Sequence, residues 1–472
     1  MPPRAQLFAL VCLATICGVG ATSAPTPDDQ ALPSDIESIG SALNSPDHRP
    51  VHIIYVHGIN QVGAGDSSAL RDAICDKLHL CNKSDWKSTP PDFPDQGEFA
   101  PNMDPPPLEY LGKPVWKTKD EWFDAAPFVA HWAIQLKGYS SPLVVDEINW
   151  WPLVLALKCE HVVKSEASLA GPDKQLLGVC SDKSKQDPDN LGRFHAWLSP
   201  EDAAQLAKKP ERAVLINRNL KTGLVDWGFS DAFIGVGPLA QIIRDGMRQL
   251  MTKCAQIDPN GLDKPNRKNY DWKKQLNSGS ATDQTFIGVT HSLGSYLLFN
   301  TMNLEDSSVG ADDAQSQETQ SEKAFEDDAV QYIFERMSLI YFFANQLRVL
   351  EFTDLEGAPA AKGASAHVAG AASPPSTQHF NALVNRWSKY RQNYVQRNLG
   401  GSTPPAKKVA IVAWSDPGDL LTWRVPPIDD VEVFNLYAHN AIGWFWLFES
   451  PLGAHDNYAK NKAVLRVMFP NR

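Results

Sequence analysis

A short apolar run, Thr285-Phe286-Ile287-Gly288-Val289, passes without a linker through Thr290-His291-Ser292-Leu293-Gly294 into a helical pattern that begins at Leu293. The run has the length and composition of a buried strand. A strand that becomes a helix within so few residues must turn sharply, and the two backbones then approach closely. Small flanking residues are needed there, and Gly294 meets the requirement. Thr290 is bulkier than the first glycine of the G-x-S-x-G pattern in which a serine is lifted above a sheet with its oxygen exposed to a base. Ser292 therefore has two readings, a nucleophile on a tight bend or a polar cap at an ordinary strand-to-helix connection.

The rest of the chain repeats the alternation. Strand patterns occur at Val51–Val56, Pro142–Trp151, Ser338–Phe343, Val409–Trp414 and Val431–Tyr437, and helical patterns at Ser67–Leu80, from Leu293, and from Asn457 to Met468. Such alternation predicts an α/β fold, a mostly parallel central sheet flanked by helices. Functional residues in such sheets lie beyond the carboxyl ends of strands, which singles out His57, Ser292 and the Asp416–Asp419 segment. Four insertions interrupt the main domain of residues 51–472. They are a proline-rich stretch at 85–118, a large helical insertion at 152–275, an acidic surface excursion at 305–328 and an Ala/Gly/Pro/Ser-rich loop at 356–377.

The first residues read as an export signal. Arg4 precedes the apolar run Leu7–Val19, which is short for a bilayer span, and small residues follow, so cleavage after Ala21 is expected. Residues 22–50, rich in Pro, Asp and Ser, read as a flexible leader. An exported, periplasmic or secreted chain meets an oxidising compartment. Local closure then favours pairing Cys75 with Cys81 and Cys159 with Cys180, leaving Cys254 over. The formal net charge of -11 argues against a nucleic-acid partner.

The second chemical signal is His57-Gly58 at the end of the first strand. Acyl transfer produces an oxyanion that preorganised backbone N–H groups stabilise. With a serine nucleophile at 292, the donors would be Leu293 and, from the His57-Gly58 loop, Ile59.

Taken together, Val56-His57-Gly58-Ile59, Thr290-His291-Ser292-Leu293-Gly294, a strand ending near an Asp and a late His resemble the α/β-hydrolase superfamily, in particular a bacterial branch of its lipase- and esterase-like members. The resemblance covers the core elements of 51–472 and not the insertions. It implies a Ser–His–Asp triad in the order nucleophile, acid, histidine. His455, just before the final helical pattern, is the favoured base, with His439 its competitor. His367 lies in a low-complexity loop and His379 precedes the last two strands. Asp419, followed by Leu420-Leu421, is the favoured acid. Asp416 and Asp354 are alternatives, Asp416 having a turn role of its own in Asp-Pro-Gly.

The expected activity is hydrolysis of a carboxylic ester on a small-molecule or lipid substrate, with no cofactor. Metal-binding spacings such as H-E-x-x-H or paired C-x-x-C do not occur. The aromatic segment Trp444-Phe445-Trp446-Leu447-Phe448 fits an acyl pocket, core packing or contact with a membrane surface. The alternatives are an exported protein that keeps the scaffold and only binds, and an amidase, thioesterase or phospholipase with the same triad. The sequence leaves the oligomeric state open.

Overall fold

The fold was analysed in a computed structural model, which describes residues 32–33, 36–59, 65–88, 109–110, 113–114, 127–151, 153–154, 230–236, 240–256, 284–303, 317–347, 377–398, 409–419, 421–440 and 451–470. Eight strands form one sheet: β1 (Val51–Val56), β2 (Lys87–Ser88), β3 (Phe128–Ile134), β4 (Leu143–Asn149), β5 (Thr285–His291), β6 (Met337–Phe343), β7 (Val409–Ser415) and β8 (Val431–Tyr437). Their order across the sheet is β8-β7-β6-β5-β1-β4-β3-β2. The run from β8 to β4 is parallel, while β3 pairs antiparallel with β4 and β2 with β3.

The strands read as near-continuous apolar runs because both faces of the sheet are covered. All residues of β1, β4, β6 and β7 are buried. Successive side chains then divide between two cores. Ile54 and Val56 of β1 pack on one side with Phe286, Ile340 and Ile411, and Val51, Ile53 and Tyr55 pack on the other with Ile287, Leu339 and Val412.

Helices close each core. The second core is covered by α1 (Ile39–Leu43), α2 (Ser68–Leu78) and α9 (Lys462–Met468), through Leu43, Ile74 and Leu465. The first is covered by α4 (Ala240–Gln256), α5 (Gly294–Asn300), α6 (Gln317–Arg336) and α7 (Thr377–Asn398), through Leu250, Leu297, Ile333 and Trp387. Two shorter helices are α3 (Ser230–Val236) and α8 (Pro451–Asp456). Among the described residues no helix is long and apolar enough to cross a membrane.

Several expectations need adjustment. Part of the predicted leader is core: Ile36, Ile39 and Leu43 are buried, and Gly40 sits so close to Phe469 and Tyr139 that a Cβ there would be crowded. The end of the predicted helical insertion is core as well, since α4 buries Ile243, Met247, Leu250 and Met251 against the sheet. Much of the acidic stretch 305–328 belongs to α6, where Arg248 of α4 pairs with Glu326 and Asp327. The charges on α6 therefore serve a helix–helix contact rather than solvent alone. Residues 155–229, 257–283 and 348–376 lie outside the described residues, and with them most of the insertions at 152–275 and 356–377. A disulfide joins Cys75 at the end of α2 to Cys81. Cys159 and Cys180 lie outside the described residues, and Cys254 is buried on α4.

One buried carboxylate anchors the segment that leads into α2. Glu147 of β4 accepts the backbone N–H groups of Gly65, Asp66 and Ser67 at 2.6, 3.0 and 3.1 Å, and the Ser67 hydroxyl at 2.5 Å. These donors lie at and just before the N-cap of α2, Ser67, where negative charge is favoured. Arg71, whose Nε donates to Ser67 Oγ, lies 3.6 Å from the centre of the Trp132 ring on β3 and extends the anchor across the sheet. Removing the carboxylate leaves buried donors unpaired, at about 1–3 kcal/mol each. Glu147→Ala is therefore expected to cost at least about 3 kcal/mol in urea unfolding, with Glu147→Gln intermediate. A cost under about 1 kcal/mol for the alanine variant would show that water replaces the anchor.

Candidate active site

Ser292 follows β5 directly and adopts a φ of 55°, a left-handed conformation rare for a non-glycine residue. Such a conformation costs about 1–3 kcal/mol and persists only when its surroundings enforce it. Three contacts do so. The Ser292 N–H donates to the Phe343 carbonyl at 2.8 Å, tying the bend to the end of β6. Gly294 lies so close to β1 that a Cβ would sit 2.5 Å from the Val56 oxygen and 2.6 Å from the His57 oxygen. Gly58 lies so close to the bend that a Cβ would sit 2.7 Å from Ser292 Cβ. Thr290 is accommodated because its buried hydroxyl is paired with Ser295 Oγ at 2.8 Å and reaches the Tyr341 carbonyl at 3.3 Å. The Ser292 hydroxyl is buried and has no hydrogen-bond partner among the described residues.

His455 lies in the last turn of α8, not in the loop expected before the final helix. Its Nδ1 lies 3.0 and 3.1 Å from the two carboxylate oxygens of Asp419. A carboxylate only accepts when ionised, so this contact places the proton of the neutral ring on Nδ1 and leaves Nε2 with a lone pair. Tyr458 donates its hydroxyl to Asp419 at 3.2 Å and fixes the carboxylate further. His291, the residue before the bend, places Nε2 2.8 Å from the His455 carbonyl, and the two rings stand edge to face at 4.8 Å. The structure thus brings the Asp419–His455 pair to the residue adjoining Ser292, at the carboxyl end of the sheet.

The alternatives fall elsewhere. Asp416 accepts the N–H of Gly418 at 2.7 Å and the N–H of Asn440, the turn role expected of it. His439 is exposed, and its carbonyl accepts from Asn461. Asp354 lies outside the described residues.

His57 organises the loop facing the bend. Its Nδ1 lies 2.7 Å from the Gly58 carbonyl, which fixes that nitrogen as the donor, and its Nε2 accepts the Trp150 N–H at 3.3 Å. The ring stacks on Trp150 at 5.0 Å, and the Trp150 indole N–H donates to the His57 carbonyl at 3.1 Å. In a planar trans peptide the Ile59 N–H points opposite to the Gly58 carbonyl, so the side chain of His57 sets the direction of that donor. Leu293, the residue after the bend, stands at the start of α5, where N–H groups have no intrahelical acceptor.

Burial holds both histidines of the two motifs neutral. It lowers the pKa of His57 to about 4. It does the same for His291, with the neighbouring His455 adding to the effect, again to about 4. Burial also raises the carboxyl pKa of Asp66 and of Asp456, which flank His291 and His455.

Sequence reasoning did not single out His291, Asp66 or Asp456, because nothing in their spacing reveals that the bend, the loop after β1 and the end of α8 converge. It also missed a buried triplet across three neighbouring strands: Asp146 of β4 lies 2.7 Å from Nδ1 of His52 on β1 and 2.7 Å from Nδ1 of His131 on β3. Burial alone would raise the pKa of Asp146, but the two imidazoles outweigh it and hold the carboxyl below its ordinary value. The triplet ties strands together within the first core and is separate from Ser292.

Two outcomes follow. Gly294→Ala is expected to destabilise by about 2 kcal/mol or more through overpacking, read by urea unfolding. In an open helix the same change stabilises by about 1 kcal/mol, so the sign decides whether the close approach is real. For His57, the unfolded chain gains a proton below about 6.5 and the folded one only below about 4. The unfolded state therefore binds more protons in that window, and stability falls as pH drops through it, by up to about 1.4 kcal/mol per pH unit. His57→Asn, which keeps a donor for Gly58, is expected to show a shallower loss between pH 6.5 and 4 than the wild type. Identical slopes would mean that His57 takes up its proton alike in the folded and the unfolded chain.

No family model, curated protein or solved structure matches this chain.

Proposed function

We propose that this protein is an exported serine hydrolase of the α/β-hydrolase type that cleaves a carboxylic ester. The observation that carries the reading is the convergence of an Asp-paired histidine on the residue adjoining a serine in a left-handed bend. Asp419 orients the imidazole of His455 and stabilises its cationic form. Movement of His455 towards Ser292 brings its Nε2 lone pair to the serine hydroxyl, as in catalytic contacts that tighten only when substrate binds. Ser292 Oγ then attacks the ester carbonyl, His455 takes the serine proton and passes it to the departing alcohol, and water hydrolyses the acyl-enzyme with the same base. The N–H groups of Ile59 and Leu293 receive the oxyanion. The scheme applies equally to an amide, thioester or phospholipid acyl bond, and a panel of substrates separates these.

That the Ser292 hydroxyl meets no partner among the described residues favours a second reading, a scaffold that retains the bend and binds a ligand without turnover. Hydrolysis of a short-chain p-nitrophenyl ester by the full chain distinguishes the two. Ser292→Ala and His455→Ala are expected to lose about 10³-fold or more in kcat/KM, and Asp419→Asn a comparable factor, with folding unchanged by circular dichroism. Wild-type turnover no greater than that of Ser292→Ala would leave the binding reading.

A further inference from the structure

We infer that His291, His455 and Asp456 form a binding site for a divalent transition metal of the Zn²⁺ kind, which holds the base away from Ser292 while it is occupied. One ring nitrogen of each histidine and a carboxylate oxygen of Asp456 lie within 4.8 Å of one another. Two imidazoles and a carboxylate match the ligand sets that bind Zn²⁺ with a water in the fourth position. Bonds of about 2.0–2.1 Å around a tetrahedral ion bring donors to about 3.3–3.5 Å, so the three groups must close by roughly an ångström. Asp456 stands at the exposed rim and has the freedom to make most of that movement.

The surroundings have the form that metal ligands require. A ligating histidine ordinarily gives its other ring nitrogen to a carboxylate or a backbone carbonyl, which fixes the ring. His455 has Asp419 in that place, and His291 is held by the His455 carbonyl. Asp66 and Asp419 add negative charge beside the two rings, so the neighbourhood suits a cation.

The regulatory half of the inference rests on the hydrolase reading; metal binding does not. An ion on the nitrogen of His455 that faces away from Asp419 consumes the lone pair needed for the Ser292 proton. Zn²⁺ is then an inhibitor, and a chelator restores activity.

The test is calorimetric titration of Zn²⁺ into the chelator-treated full chain, with ester hydrolysis followed in parallel. The wild type is expected to bind one Zn²⁺, and Asp456→Ala and His291→Gln at least 10-fold more weakly. Ester hydrolysis by the wild type is expected to fall as the site fills and to recover with chelator, while Asp456→Ala keeps its turnover at the same Zn²⁺ concentration. Absence of binding, or equal binding by the wild type and both variants, overturns the site. Variant-dependent binding in a chain with no esterase activity keeps the site and removes the hydrolase reading instead. Variant-dependent binding with no effect on an active enzyme overturns the inhibitory role.

Discussion

The left-handed turn at Ser292 is the constraint around which the rest of the site is arranged. A serine in that conformation is strained, and the strain is held by contacts from three directions: the Phe343 carbonyl at the end of β6, the backbone of β1 against Gly294, and the loop of Gly58 against the serine itself. Each depends on a strand neighbouring β5 being in register, because β5 lies between β1 and β6 in the parallel sheet. The bend is thus a product of the whole central sheet, and the helix that follows it, buried along its length, is what keeps the turn from relaxing.

The chemistry follows from where burial puts charge. His57 and His291 are kept neutral, so each has one nitrogen as a donor with a defined partner. His455 differs in having the Asp419 carboxylate on its Nδ1. His57 and His291 have backbone carbonyls in place of a carboxylate. On the proposed mechanism a base needs a carboxylate behind its ring, and among the described histidines near the bend His455 has one. Glu147 and Tyr458 act at one remove, the first by holding the segment with Asp66 and the second by holding Asp419.

The strands β1, β4, β5, β6 and β7 were legible because each is a largely apolar run bounded by turn residues, as buried parallel strands must be, and the half-buried edge strand β8 because its apolar residues are spaced among polar ones. The bend was legible because its small residues are demanded locally. Asp419 and His455 were singled out only through the family resemblance, the one by the Leu420-Leu421 that follows it and the other by its place near the final helix, and the two lie in hydrogen-bond contact. The antiparallel strand Phe128–Ile134 was missed: His131 interrupts its apolar run, and its place in the sheet depends on pairing with β4. The end of the leader was misread because Pro, Asp and Ser mask the spaced Ile36, Ile39 and Leu43, which are buried in the core that also holds the C-terminal Leu465 and Phe469. The convergence of His291 with Asp66 and Asp456 was invisible for the same reason, since three distant stretches meet there only once the sheet has formed.

On the proposed mechanism the strained Ser292 is the group that attacks. The most direct measurement of this is peptide mapping by mass spectrometry after the folded chain reacts with a fluorophosphonate. A single covalent adduct is expected on the peptide carrying Ser292, abolished when the chain is unfolded before exposure. An adduct on a different residue, or none on a chain shown to be folded, would contradict it.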